Sequence, residues 1–469
     1  MKIAAFGGSF NPPGLHHRAI AEALALQFDR VDVVPCGPRP DKLTVDDVDP
    51  AHRAAMVHLT FRGIPNVRVD DSDLEEPTFT RTFELDQMLR AEGEPWHVIG
   101  TDLIQGGRDG TSIIQREWAR GSELWAHANF VVIARDGYPI DERDLPPHRM
   151  VITPPRAGAS SDIRRRVFDH ESITGLVFPK VERYIERRGL YRGGRASRTF
   201  SPLIVGEPRL LVVFDQRDAR AVAIAEQLAP FTVRDASRDH ANAVVVIGGD
   251  GMMLGAMAQH WRLRAPFIGF RTGRRAFLLN DPPEEFPAEY FRQNFDIRWS
   301  PGLHVRTQSP LGGRTELTFN DAWIERASPQ TAWVEVRVND RVRVPVLRAD
   351  GAIVATSLGS TGYARVAGAN PIPIGTPNLV LAGLLVDDPL GWRPAYLDAS
   401  DVVEFRSADP CSPPKRPLRG VASGVDLGQV ERMVVRVSRV AAVELALTPD
   451  YDLMSRLLRL EQSSAGEQR

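Results

Sequence analysis

The sequence predicts the α/β class: a parallel sheet in the first half, then a second α/β part that leads into mostly β structure. Three observations carry this. Short apolar strands alternate with helical patterns through about residue 190, the alternation restarts near residue 209, and after about Leu303 it gives way to period-two patterning. At 469 residues the chain is too long for one compact core and suits two domains.

The first strand is Lys2 to Phe6. It breaks at Gly7-Gly8, and a helical face (Ile20, Ala23, Leu24) begins at about His17. Strands follow at Val31 to Pro35, Asn66 to Val69, His97 to Gly100 and Phe130 to Arg135, with a helix near Thr82 to Arg90 between the second and third of these. Buried strands separated by helices predict a parallel sheet covered on both faces, with ligands bound beyond the carboxyl ends of the strands. Helical patterns resume at Ser161 to Phe168 and Pro179 to Arg188. Apolar periodicity is then lost, which predicts a first domain over 1–192 and a linker over 193–207. The second domain is placed at 208–463. Its α/β part, about 208–300, has a strand at Arg209 to Phe214, a helix at Ala219 to Leu228 and a strand at Ala243 to Ile247. In its β-rich part, about 301–463, Val334, Val336 and Val338 turn at Asn339-Asp340 into Val342, Val344 and Val346, an antiparallel hairpin.

Composition narrows the function classes. A net charge of −2 argues against a generic nucleic-acid or anionic-membrane binder. Cys36 and Cys411 are far apart and supply neither a disulfide framework nor a structural zinc site, which suits a reducing, cytoplasmic setting. Met1 to Phe6 runs into Gly7-Gly8 with no signal-peptide core, and the apolar run near Leu379 to Val386 is too short to span a bilayer. A soluble protein is expected.

Two constellations carry chemistry. The first is Gly7-Gly8-Ser9-Phe10-Asn11-Pro12-Pro13-Gly14-Leu15-His16-His17, a glycine turn between a strand and a helix. Glycines let backbone amides approach a ligand, the helix start offers N–H groups and a positive dipole end, and a histidine there can bind phosphate oxygens. Read alone, it is as well a plain strand–turn–helix with incidental histidines. The longer pattern resembles the nicotinate/nicotinamide mononucleotide adenylyltransferases over most of residues 1–191. It includes Lys42, His52-Arg53, Thr78-Phe79-Thr80-Arg81-Thr82, Gly100-Thr101-Asp102, Trp118, Arg135 and Ser160-Ser161-Asp162-Ile163-Arg164.

That resemblance implies a Rossmann-like nucleotidyltransferase domain joining a mononucleotide phosphate to the α-phosphate of ATP with Mg²⁺, pyrophosphate leaving. It implies that His17 is catalytic and that Gly8, Ser9, Phe10, His16, Ser161 and Arg164 line the ATP phosphates. It places Lys42, Thr82, Asp102 and Trp118 on the mononucleotide side. The family expects His-x-Gly-His where this chain has Gly14-Leu15-His16-His17, as though residues 14 and 16 had exchanged places. Either His16 supplies the imidazole from a shifted backbone, or it fills space meant for ATP.

The second constellation is Gly248-Gly249-Asp250-Gly251 after an apolar strand. Glycine amides there can cradle phosphates, while a carboxylate can accept a hydroxyl proton or help place a metal. The tetrapeptide alone also fits a tight turn with an exposed aspartate. With Phe319-Asn320-Asp321, Asp350-Gly351 and Gly359-Ser360-Thr361-Gly362-Tyr363 in that order, it resembles the NAD kinases over roughly 208–460. The resemblance implies that Asp250 is the base for the adenosine 2′-hydroxyl and that Gly248, Gly249 and Gly251 line the phosphates. It implies that Asn320, Asp321, Asp350, Thr361 and Tyr363 hold NAD, and it suggests a homo-oligomer. Met252, Arg271, Asp321 and Val366 depart from the usual residues.

Neither resemblance uses the other's motifs, yet both point at pyridine nucleotides. The reading is a bifunctional enzyme taking ATP, nicotinamide or nicotinate mononucleotide, and NAD, with no dedicated protein metal site. The competing readings keep one domain active with the other as a nucleotide sensor, or make the whole chain a non-catalytic NAD(P)- or ATP-binding regulator.

Overall fold

The computed structural model describes residues 1–37, 48–76, 79–135, 137–153, 156, 158–192, 198–234, 240–273, 276–411, 414–453 and 455–456. Lys42 and Thr78 lie outside the described residues, as do 193–197 of the expected linker. The chain divides into two compact units, Met1–Ala196 and Ser197–Arg469.

The first unit holds β1 (Lys2–Gly8), α1 (Leu15–Ala25), β2 (Arg30–Pro35), α2 (Pro50–Phe61), β3 (Val67–Val69), α3 (Ser72–Glu75), α4 (Thr82–Arg90) and β4 (Glu94–Gly100). It continues with α5 (Ile113–Glu117), α6 (Gly121–His127), β5 (Asn129–Ile133), β6 (Arg149–Ile152), α7 (Ser160–Phe168) and α8 (Pro179–Arg188). The six strands form one sheet in the order β3-β2-β1-β4-β5-β6, every pairing parallel. This is the doubly wound Rossmann order, whose chain direction reverses between β1 and β4 and opens a crevice at their carboxyl ends.

Strand alternation explains the two covered faces. Ala4 and Phe6 of β1 and Val131 and Ile133 of β5 join Leu24, Val57 and Phe61 in one core, while Ile3, Ala5, Phe130 and Val132 point the other way. Helix α2 is buried almost all round because its opposite side, through Ala55, Met56 and Leu59, packs on Ile163, Val181 and Ile185 of α7 and α8. Helix α8 starts with Pro179 and ends at Gly189, whose φ of 60° is the left-handed conformation glycine tolerates.

The second unit contains β7 (Arg198–Pro202), β8 (Leu210–Phe214), α9 (Ala219–Leu228), β9 (Ala243–Gly248), α10 (Asp250–His260) and β10 (Phe267–Arg271). Then come β11 (Asn294–Ser309), β12 (Gly312–Thr318), β13 (Asp321–Arg326), β14 (Ala332–Val338), β15 (Arg341–Ala349), β16 (Gly351–Ala355) and α11 (Tyr363–Val366). The last elements are β17 (Asn378–Leu384), β18 (Ala395–Asp398), β19 (Val403–Ser407), β20 (Leu418–Ala422), β21 (Val425–Val430) and β22 (Arg432–Leu447). Strands β8, β9 and β10 are parallel, and β22 adds in parallel beside β10. The other end of β22 pairs antiparallel with β19, so one 16-residue strand runs from the α/β part into the β part. A second sheet, β18-β17-β16-β13-β20-β21, packs on the first through Val334, Val336, Phe405, Ile324, Val354 and Leu381.

Two expectations change here. The approximate division at about residue 300 falls inside β11, and β22 returns from the far end of the sequence to the α/β sheet. Part of the expected linker, Arg198–Pro202, is an edge strand paired with β11. Its sequence lacks apolar periodicity because it sits at an edge, held by the backbone ladder and by Arg198 Nε on the buried Asp296 carboxylate at 2.8 Å. The predicted hairpin forms between β14 and β15, with Asn339 and Asp340 at φ 52° and 60°, the conformation of a type I′ turn. Among the described residues no helix is long and apolar enough to cross a membrane.

Candidate functional site

Each unit carries its own site. In the first, β1 ends at Gly8 beside the end of β4, and the turn to α1 is clamped from several sides. Gly8 O accepts from Cys36 N–H at 2.9 Å, and Ser9 O accepts from the buried Arg53 guanidinium at 3.1 Å. Asn11 O accepts from Arg164 Nη1 at 2.7 Å, Pro12 O from Ser160 Oγ at 2.8 Å, and Asn11 Oδ1 from Tyr191 OH at 2.6 Å. The turn's acceptors are thus turned toward protein, the arrangement required if its amides are to meet an anion. Phe10, at φ 42°, buries its ring edge-on against Phe6 and Phe61. Its expected place at the phosphates is therefore open only to its backbone. Arg164 spends one nitrogen on the turn. Ser160, not the exposed Ser161, is the serine that touches the turn.

The two histidines occupy the first turn of α1. Gly14 N–H donates to His17 Nδ1 at 3.1 Å, so the neutral ring carries its proton on Nε2. Burial, then the neighbouring His16 and Arg135, hold the His17 pKa well below the ordinary value, leaving a neutral donor at pH 7. The His16 ring lies 3.9 Å from that of His17, and burial followed by Arg135 and Arg156 lowers its pKa to about 4. Across the crevice, Arg135 Nη1 donates to Asp102 Oδ2 at 2.9 Å. A side chain at Gly100 would collide with both partners of that ion pair. Asp102 Oδ1 is buried with no hydrogen-bond partner among the described residues, an acceptor suited to a ligand's N–H or hydroxyl. Trp118 packs beside Ile99, Ile104 and Ile114, and Thr82 opens α4. Arg156, whose charge reaches His16, stands in a Pro- and Gly-rich stretch with no periodicity to single it out.

In the second unit, β9 feeds Gly248, at φ 156°, then Gly249 as the residue capping α10, then Asp250 as its first helical residue. Nothing lies within contact distance of where side chains at Gly249 and Gly251 would begin, so the turn has open space above it. A side chain at Gly248 would press on Met252. The Asp250 carboxylate accepts from Phe277 N–H and Leu278 N–H, each at 2.9 Å. Burial raises its pKa, while those two amides and Arg456 pull the other way. Arg456 donates to Ala276 O at 2.9 Å, so it ties the same segment.

A second group forms at the edge of the β part. Asn320 Nδ2 donates to Asp321 Oδ2 at 2.8 Å, and Thr356 Oγ1 donates to Phe319 O at 2.7 Å. The 356–359 segment lies so close to Asn320 that a side chain at Gly359 would sit 2.2 Å from Asn320 O. Asp321 is 1% exposed, and burial raises its pKa to about 7. The Tyr363 ring meets Trp323 edge-on at 5.3 Å, and its hydroxyl pKa is raised by burial and then by Glu325, Asp350 and Asp321. Asp350 pairs with Arg326 at 2.6 Å, and Thr361 is buried beside Tyr363. Of the carboxylates near Tyr363, Asp350 is neutralised by Arg326 and Glu325 by Arg419, and Asp321 is buried. Among the described residues no hydrogen bond or ion pair joins Asp250 to this group.

Comparison with known proteins follows the same division. Residues 5–167 match the cytidylyltransferase-like family model. The chain is 28% identical over 256 residues to an NAD kinase of Xylella fastidiosa (strain Temecula1), covering 54% of this chain and 96% of that protein. It is 30% identical over 219 residues to an NAD kinase of Cereibacter sphaeroides (strain ATCC 17029), covering 47% of this chain and 85% of the relative. A crystal structure of yeast NADH kinase complexed with NADH aligns at TM-score 0.46 and 14% identity, over 55% of this chain and 88% of that one. Through its C-terminal unit, the chain belongs to the NAD kinase family.

Proposed function

We propose a bifunctional enzyme of NAD(P) biosynthesis. The first unit transfers the adenylyl group of ATP to nicotinamide or nicotinate mononucleotide, and the second phosphorylates the 2′-hydroxyl of NAD. The observation that carries the first assignment is His17. It is a neutral imidazole with Nδ1 taken by Gly14 N–H, at the crevice where a doubly wound sheet binds ligands, beside Arg135. A phosphate oxygen of the mononucleotide attacks the α-phosphorus of ATP, and the bond to the β-phosphate breaks with its electron pair leaving on pyrophosphate. His17 Nε2–H hydrogen-bonds a non-bridging oxygen as charge shifts, and the arginines neutralise the remainder.

In the second unit Asp250 takes the proton of the adenosine 2′-hydroxyl, the oxygen bonds the γ-phosphorus of ATP, and ADP leaves. Asn320, Asp321 and the 356–359 segment, held together at the edge of the β part, support recognition of NAD there. Mg²⁺ would enter each reaction on the nucleotide phosphates. A second reading makes the C-terminal unit a nucleotide sensor, favoured by the two backbone amides already occupying Asp250. Chromatography of reactions with Mg-ATP and either mononucleotide, or with Mg-ATP and NAD, tests both. Dinucleotide and NADP are expected, and NAD binding without NADP would select the sensor.

A further inference from the structure

Leu278 N–H binds Asp250 Oδ1 alone, and Phe277 N–H is shared between the two carboxylate oxygens, all at 2.9 Å. Oδ2 therefore keeps the larger share of its lone pairs for an incoming hydroxyl. Phe277 and Leu278 lie outside every helix and strand, so nothing in their own secondary structure fixes them. Residues beyond β22 do. Asn280 is fully buried; it donates to Gly269 O at 3.2 Å and Ala446 O at 3.1 Å, and accepts from Thr448 N–H at 2.8 Å. Tyr451 OH donates to Phe277 O, and Arg456 Nη1 donates to Ala276 O at 2.9 Å and to Leu279 O. The Arg456 guanidinium also lies 4.6 Å from the centre of the Tyr451 ring. It reaches one oxygen of Asp281 at 3.4 Å, and the other oxygen takes Arg271.

The planarity of the peptide group gives these contacts a consequence. Ala276 C=O and Phe277 N–H belong to one peptide plane, and Phe277 C=O and Leu278 N–H to the next. A donor that fixes each carbonyl aims the opposite N–H and, by polarising the group, strengthens it as a donor. We propose that Tyr451 and Arg456 are positioning residues for the phosphoryl-transfer base, each gripping the carbonyl of a peptide group whose N–H holds Asp250. The inference rests on the NAD-kinase reading. In that step the adenosine 2′-hydroxyl gives its proton to Asp250 Oδ2, its oxygen bonds the γ-phosphorus, and the bond to ADP breaks. Arg456 is the cation that acts on Asp250. Tyr451, its hydroxyl pKa raised to about 12 by burial, stands neutral among Asp250, Arg456, Arg298 and Asp452.

Arg456→Ala, Arg456→Lys and Tyr451→Phe are assayed for NADP formation from NAD and Mg-ATP across pH, each with its melting temperature. Arg456→Ala should lower kcat by at least about 10-fold with the KM for NAD within about 2-fold, since a misplaced base costs rate and not binding. Loss of the cation raises the proton affinity of Asp250, so the acid limb should move to higher pH. Arg456→Lys keeps the charge without the fork; kcat should recover in part and the limb should stay in place. Tyr451→Phe deletes one hydroxyl and should lower kcat by about 3-fold or more at unchanged KM. Folded variants with the original kcat overturn the inference. So does a rate loss in Arg456→Ala with an unmoved acid limb, the mark of a merely structural contact. If Arg456→Ala does not fold, Tyr451→Phe and Arg456→Lys decide by kcat at unchanged KM. If the unmodified chain makes no NADP, the kinase reading itself fails, a result distinct from these.

Discussion

Replacing Asp321 by asparagine should stabilise the C-terminal unit at alkaline pH and leave it nearly unchanged at acid pH. The carboxyl is 1% exposed and accepts one bond, from Asn320 Nδ2. Burial raises its pKa from 3.8 to about 7. The folded chain thus keeps a proton that the unfolded chain releases above pH 3.8. The group costs nothing below that value. Its cost grows as pH rises through the window and is complete above about pH 7. At about 1.36 kcal/mol per pH unit, the full cost is about 4 kcal/mol. Each kcal/mol moves the Tm of a domain this size by about 2–4 °C, so the gain should be on the order of 5–15 °C at pH 8.5 and within about 2 °C at pH 4. Scanning calorimetry of both proteins at the two pH values, following the C-terminal transition, measures it. A Tm difference independent of pH, or a less stable variant at pH 8.5, would refute the claim that this carboxylate is buried at an energetic cost. The gain should come with loss of NADP formation, since a site residue held against stability is held for binding.

Three further outcomes follow. Gly359→Ala, which drives a methyl group against Asn320 O at 2.2 Å, should destabilise the C-terminal unit by about 1–3 kcal/mol in denaturant titration and raise the KM for NAD. Tyr191→Phe removes the hydroxyl that holds Asn11 Oδ1 at 2.6 Å; it should cost about 0.5–1.5 kcal/mol and raise the KM for ATP in dinucleotide formation. For NADP formation, a buried Asp250 acting as base must lose its proton. The rate should therefore rise with pH along an acid limb whose midpoint lies above the ordinary carboxylate value, measured as kcat/KM against pH.

Much of the fold was legible because it rests on local patterns. Five of the six strands of the first sheet, helices α1, α4, α7 and α8, the type I′ hairpin at Asn339-Asp340 and the two glycine turns each have a composition that their backbone demands, whereas β6, α2, α5 and α6 had none that singled them out. What stayed hidden is long-range. Nothing local in Arg432–Leu447 says that one end pairs with β19 and the other with β10, and a polar edge strand such as β7 has no buried face to write a pattern. The sites divide in the same way. Gly8, His17, Gly249 and Asp250 stand out beside their turns. The supports do not, because Arg53 reaches Ser9 across 44 residues and Tyr191 reaches Asn11 across 180. The elevated Asp321 pKa is equally invisible in sequence, since burial by distant segments causes it.

The bifunctional reading requires two independent chemistries in one chain. The most direct measurement follows both products, dinucleotide and NADP, in the unmodified protein and in His17→Ala and Asp250→Ala variants that retain the original melting temperature. His17→Ala should abolish dinucleotide formation and leave NADP formation intact, and Asp250→Ala should do the reverse. If the unmodified protein makes neither product above background, or if either variant loses neither activity, the bifunctional assignment is contradicted.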